Sequence, residues 1–122
     1  MGVGDEVRVL VVDDVCDVAD VIASLLRLDG YVVETAYGGE EAVALMQRFR
    51  PDCILLDISM PGMDGLQLTK LLRERYGDDV VLIAMTGAAQ DDRRVYDTFA
   101  RVDHYLSKPI TAEQLRKVLP PQ

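Results

Sequence analysis

Cys53-Ile54-Leu55-Leu56-Asp57 is the stretch that decides the fold: four apolar residues in a row, then a carboxylate. A short apolar run without alternation marks a strand covered on both faces, the habit of a parallel sheet. Three other stretches repeat the design. Val7-Arg8-Val9-Leu10-Val11-Val12 runs into Asp13-Asp14, Val80-Val81-Leu82-Ile83-Ala84-Met85 runs into Thr86, and His104-Tyr105-Leu106-Ser107 runs into Lys108-Pro109. Open parallel α/β sheets bind ligands beyond the carboxyl ends of their strands. The sequence therefore gathers three carboxylates, a hydroxyl and an ammonium on one sheet edge.

Helical periodicity fills the intervals. After the first strand, Val18, Ile22, Leu25 and Leu26 recur at i, i+4, i+7, i+8, and Gly30 stands where that helix stops. A strand is expected over 31–35, then a helix with Ala42, Leu45, Met46 and Phe49 on one face. That helix ends at Arg50, which Pro51 turns away from helical dihedrals. A third helix over 64–76 buries Leu68, Leu71 and Leu72, and Gly77-Asp78-Asp79 makes the turn out of it. A fourth is expected over 90–101, with Val95, Phe99 and Val102 as its stripe. The last strand covers 103–107, and a final helix opens at Thr111-Ala112-Glu113 and ends before Pro120-Pro121. Five strand–helix alternations predict an α/β chain: a (βα)5 doubly wound, five-stranded parallel sheet, flavodoxin-like, in three α/β/α layers. The 122 residues suit a single domain, structured over about 6–119, with 120–122 as a tail fit to begin a linker.

Acidic residues outnumber basic ones, 21 to 13, for a formal net charge of -8. With no basic run or stripe, direct nucleic-acid binding is not expected. No apolar run approaches the ~20 residues of a membrane span, and the N-terminal residues do not resemble a signal peptide, so a cytoplasmic protein without membrane insertion is expected. The two cysteines, Cys16 and Cys53, have neither CxxC pairing nor metal-ligand spacing, and buried, reduced thiols are expected.

Each candidate site residue has a plain reading and a chemical one. Asp13 or Asp14 can cap the following helix, or the pair can offer hard oxygens to Mg²⁺, which uses few carboxylates and keeps several waters. Asp57 can end a strand as a cap. A carboxylate there is costly unless it meets a cation or donors, and with Asp13 and Asp14 at the neighbouring strand end, a divalent cation relieves three converging charges. Such a carboxylate can attack phosphorus and form an acyl phosphate. Thr86 can be an ordinary β-branched strand residue, but the small Gly87, Ala88 and Ala89 after it leave room for an anion. Lys108 can be a solvated lysine before a turn or a contact to a phosphoryl oxygen, and the isomer of Lys108-Pro109 is open.

Together these motifs resemble the receiver domain of two-component response regulators and hybrid sensor kinases. VVDD (residues 11–14), LLDISMPGMDG (55–65), MTG (85–87) and HYLSKP (104–109) fall in order across nearly the whole chain. The resemblance implies a signalling domain rather than an enzyme, although one that promotes its own phosphorylation and dephosphorylation. Asp57 would take a phosphoryl group from the phosphohistidine of a sensor histidine kinase or a histidine phosphotransfer domain. Asp14 and Asp57, with Asp13 through water and the Ser59 backbone carbonyl, would bind Mg²⁺ or Mn²⁺. Thr86 and Lys108 would contact phosphoryl oxygens, Tyr105 would be the aromatic switch, and the face of the fourth helix, fifth strand and fifth helix would meet a downstream protein. The MTG and Asp-His-Tyr-Leu runs look most like receivers of hybrid kinases and phosphorelays.

Three departures from the pattern stand out. Arg101-Val102 replaces the usual Gly-Ala pair, and Ser59 and Ala88 are small where larger polar groups often steer the hydrolytic water. Competing functions fit less well. A dehalogenase-type aspartyl-phosphate phosphatase needs a second aspartate where Ser59 stands, and a flavodoxin-like carrier needs a hydroxyl-rich phosphate loop where Asp13-Asp14-Val15-Cys16 would repel phosphate. A degenerate receiver acting as a binding module would not need the full set of site residues.

Overall fold

The continuous apolar runs become the strands of one parallel sheet. The computed structural model describes residues 6–58, 65–87 and 101–120. Its strands are β1 (Arg8–Val12), β2 (Val32–Ala36), β3 (Cys53–Asp57), β4 (Val81–Thr86) and β5 (His104–Ser107), in the spatial order β2-β1-β3-β4-β5, all parallel. The helices are α1 (Cys16–Leu28), α2 (Gly39–Phe49), α3 (Gly65–Tyr76) and a C-terminal helix (Ala112–Val118). The expected fourth helix over 90–101 lies, except for its last residue, outside the described residues.

Strand alternation sorts the core into two layers. Leu10, Val12, Ile54, Leu56, Leu82 and Ala84 pack with the buried faces of α2 and α3. Val9, Val11, Cys53, Leu55, Ile83 and Met85 pack with α1 and the C-terminal helix. Every residue of β3 is buried, as its unbroken apolar run requires. Burying both faces of the central strands supplies the main driving force, at about 25 cal/mol per Å² of apolar surface removed from water.

Local signals set the element ends. Helix α1 stops in a Schellman motif: the Tyr31 amide donates to the Leu26 carbonyl at 3.1 Å and the Gly30 amide to the Arg27 carbonyl at 3.0 Å, with Gly30 at φ 95°. Arg50 ends α2 in the left-handed region at φ 54°, the departure from helical dihedrals that Pro51 signals. Thr111 begins the C-terminal helix with a reciprocal capping box: the Gln114 amide donates to Thr111 Oγ1 at 3.2 Å and the Thr111 amide to Gln114 Oε1 at 2.9 Å.

Two expectations need correction. Cys53 is buried, but Cys16, the first residue of α1, is exposed, one turn ahead of Ala19, where the buried stripe of the helix begins. The buried stripe of α1 is Ala19, Ile22, Ala23 and Leu26, with Leu25 only half-buried. Alanine lets the helix approach the sheet closely, so the face turns toward Ala19 and Ala23.

Candidate functional site

The sheet reverses its winding between β1 and β3, and the crevice at that switch point is where such folds bind ligands. The first carboxylates come from the exit of β1, where the Asp13 amide continues the ladder to the Ala36 carbonyl at 3.1 Å. Asp13 is fully buried and Asp14 is exposed. Asp57, the last residue of β3, is 3% exposed. One carboxylate oxygen from each of Asp13, Asp14 and Asp57 lies within 4.8 Å of the others. Three hard oxygen donors at that spacing fit a small divalent cation that keeps part of its water shell.

Lys108 closes the crevice from β5. Its amide donates to the Thr86 carbonyl at 2.8 Å, extending the β4–β5 ladder by one residue. Its Nζ then donates to Asp13 Oδ2 at 2.9 Å and to Asp57 Oδ2 at 3.1 Å. A side chain at Gly87 would begin only 3.8 Å from the lysine's methylene stem, so the stem runs close over this backbone. The Lys108-Pro109 peptide is cis, which decides the isomer the sequence left open. Thr86 is buried at the end of β4.

Charge in this crevice is unbalanced. Burial pushes the Asp13 carboxyl above its ordinary range; hydrogen bonds from Lys108 and from the Val15 amide pull it down, and the Asp57 charge adds to the rise. For Lys108 burial acts downward, but the two carboxylates outweigh it and hold the ammonium above its usual range. For Asp13 burial outweighs what a shared ammonium returns, and for Lys108 two carboxylates outweigh burial. The lysine gains from both partners, and each carboxylate gains only part of one cation.

The structure thus brings together Asp13, Asp14, Asp57 and Lys108, with Thr86 at the adjoining strand end. Asp13 does not cap α1: the N-cap residue is Val15, and Asp13 Oδ1 accepts from the Val15 amide at 3.0 Å. Tyr105 lies on β5 and is 52% exposed. Ser59, Ala88 and Ala89 lie outside the described residues. The strand-end rule brings Lys108 and Asp13 to one edge across 95 residues, but does not reveal the direct bond between them. Beside the lysine, Val18, Val21, Ile22, Pro109 and Ile110 line an open groove of about 620 Å³.

Strand order and acidic crevice together place the chain among flavodoxin-like signalling domains. It belongs to the response regulator receiver domain family, whose family model matches residues 9–120. Response regulator MprA of Mycobacterium ulcerans (strain Agy99) is 39% identical over 109 residues, 89% of this chain and 47% of that protein. Response regulator MprA of Mycolicibacterium vanbaalenii is 40% identical over the same length, with the same shares. The chain thus spans about half the length of these curated relatives. The Vibrio cholerae chemotaxis protein CheY4 superposes with a TM-score of 0.82 at 31% identity, over 92% of this chain and 94% of that one. A CheY-like receiver domain protein from Methanospirillum hungatei JF-1 gives 0.83 at 28% identity, over 93% and 90%. The general function of the family is to accept a phosphoryl group in two-component signalling, and its members generally bind Mg²⁺ at an acidic pocket. The domain is a signalling module and is not classed as an enzyme. Among the described residues, no helix is long and apolar enough to cross a membrane.

Proposed function

We propose that Asp57 is the phosphoacceptor of this chain, and that the phosphoryl group comes from a phosphohistidine on a sensor histidine kinase or a histidine phosphotransfer domain. The observation that carries this reading is the convergence of Asp13, Asp14 and Asp57 within 4.8 Å, with Lys108 Nζ between two of them. A carboxylate oxygen of Asp57 forms the new O–P bond as the P–N bond of the phosphohistidine breaks, and the leaving imidazole takes up a proton. Asp14 and Asp57, with Asp13 and the Ser59 carbonyl, would hold Mg²⁺ or Mn²⁺, which would supply neutralisation of the phosphoryl charge.

Lys108 and Thr86 meet the phosphoryl oxygens as donors placed where charge collects. The apolar groove beside Lys108 gives a donor domain a footing within reach of Asp57. The new group adds strong acceptor oxygens at the end of β3. Thr86 turns toward them, Tyr105 follows, and the face containing β5 and the C-terminal helix carries the change to a downstream protein. The protein acts in the cytoplasm, without direct nucleic-acid contact by this domain.

Intact mass after incubation with Mg²⁺ and acetyl phosphate tests the reading. The wild-type chain gains one phosphoryl group and Asp57→Asn gains none. Equal uptake by Asp57→Asn contradicts it.

A further inference from the structure

Strand β5 delivers Lys108 to the site, yet its own side chains specify its place weakly. It has four residues, lies at the sheet edge, and buries only Leu106. Little burial means little side-chain control of pairing register. A slip of two residues along parallel β4 would carry Lys108 about 6–7 Å from its place.

Register is held instead at the strand's entry. The Asp103 amide donates to the Leu82 carbonyl at 2.8 Å, and Asp103 Oδ2 accepts from the Leu82 amide at 2.9 Å. The same Oδ2 accepts from Arg73 Nη2 at 2.8 Å. Arg73 also donates through Nε to the Arg101 carbonyl at 2.7 Å, and through Nη1 to the carbonyls of Gly77 at 2.8 Å and Val80 at 3.1 Å. One guanidinium thus ties the end of α3, the approach to β4 and the chain entering β5. This use of the planar fork is one a lysine could not copy. Asp103 and Lys108 bracket β5, one anchored on Leu82 and the other on Thr86.

We propose that Asp103, held by Arg73, is a positioning residue for Lys108: it fixes the register of β5 and through it the place of the ammonium between Asp13 and Asp57. The inference rests on the reading of Lys108 as a donor to the phosphoryl group.

The test is a double-mutant cycle on the full chain, read as the initial rate of phosphoryl uptake from acetyl phosphate at saturating Mg²⁺. It is run at a temperature where circular dichroism shows each variant folded. Lys108→Ala should slow uptake about 100-fold, the usual cost of one lost transition-state donor. Asp103→Ala should slow it about tenfold, as displaced donors do. The double variant should be no slower than Lys108→Ala alone, because the bracket then has no ammonium to place. Arg73→Gln, which leaves the Asp103 ladder bonds intact, should follow the same pattern and serves in place of Asp103→Ala if that variant does not fold. Multiplying effects would make the bracket a general support of the fold, and a wild-type rate in both Asp103→Ala and Arg73→Gln would remove its role; either overturns the inference. A wild-type rate in Lys108→Ala instead overturns the underlying reading of Lys108, and the bracket with it.

Discussion

Lys108 Nζ and Asp13 Oδ2 meet at 2.9 Å across 95 residues of sequence, and the same ammonium reaches Asp57 Oδ2 at 3.1 Å, tying the ends of β1, β3 and β5 together. The ammonium is already engaged before any phosphoryl group arrives. On the proposed reading, it is shared or released when a phosphoryl group is added at Asp57.

Among the described residues, three carboxylates stand against one ammonium, which should make the fold sensitive to divalent cations. At about 100 times its Kd, Mg²⁺ is expected to stabilise the domain by about 2.7 kcal/mol. For a domain of this size that is roughly a 10 °C rise in Tm. Asp14→Ala should lose the rise without weakening the metal-free protein, since Asp14 is exposed. Thermal melts with and without Mg²⁺ check this, and an undiminished rise in Asp14→Ala would remove Asp14 from the ligand set.

Thr86 should govern the response to phosphorylation, while its loss slows phosphorylation of Asp57 without abolishing it. A hydroxyl donating to a charged acceptor contributes about 1.5–3 kcal/mol, a shift of roughly ten- to a hundred-fold in a two-state equilibrium. In Thr86→Ala, Asp57 should still take up phosphate, while the phosphorylation-induced NMR shifts of Tyr105 should shrink. Full-size shifts there would break the proposed coupling.

The two thiols should differ sharply in reactivity. Burial pushes the Cys53 thiol up to about 12, whereas Cys16 is exposed at the start of α1. A thiolate-selective reagent at pH 8 should label one cysteine per native chain and two per unfolded chain. Two rapid labels on the native chain would mean that the sheet does not seal Cys53.

Asp103 should make stability depend on pH. Partial burial raises its carboxyl, but the Leu82 amide and the Arg73 guanidinium outweigh this, helped by the nearby His104, and hold it below the ordinary range. A carboxyl depressed by folding contributes stability above its unfolded value of about 3.9, and that contribution is lost as pH falls through the folded value. Asp103→Asn should therefore cost up to about 1 kcal/mol at pH 7, a modest amount because the group is partly solvated. The difference should shrink as pH falls below about 3.9 and close once pH lies below the lowered folded value. A cost that stays constant down to pH 2 would show that charge is not what the carboxylate contributes.

Much of the fold was legible because its main signals are local. The apolar runs ending in Asp57 and Thr86 fixed two central strands to within a residue, and Gly30 and Thr111 marked helix ends through turn and cap chemistry that needs no distant partner. The strand-end rule gathered Asp13, Asp14, Asp57, Thr86 and Lys108 without contact information. What stayed hidden depends on long-range geometry. The choice of Asp13 as the lysine's nearer partner and the exposure of Cys16 at the start of α1 both depend on how distant elements pack. Arg73 gave no sign of its role, since a basic residue in the last turn of a helix ordinarily just complements the dipole.

The most direct test of the central claim is to locate the phosphoryl group. Borohydride reduces an acyl phosphate to the alcohol and so converts the phosphorylated aspartate to homoserine, which peptide mass spectrometry can place. After treatment with Mg²⁺ and acetyl phosphate, homoserine is predicted at position 57 and nowhere else. Homoserine at Asp13 or Asp14 with none at 57 would contradict the account.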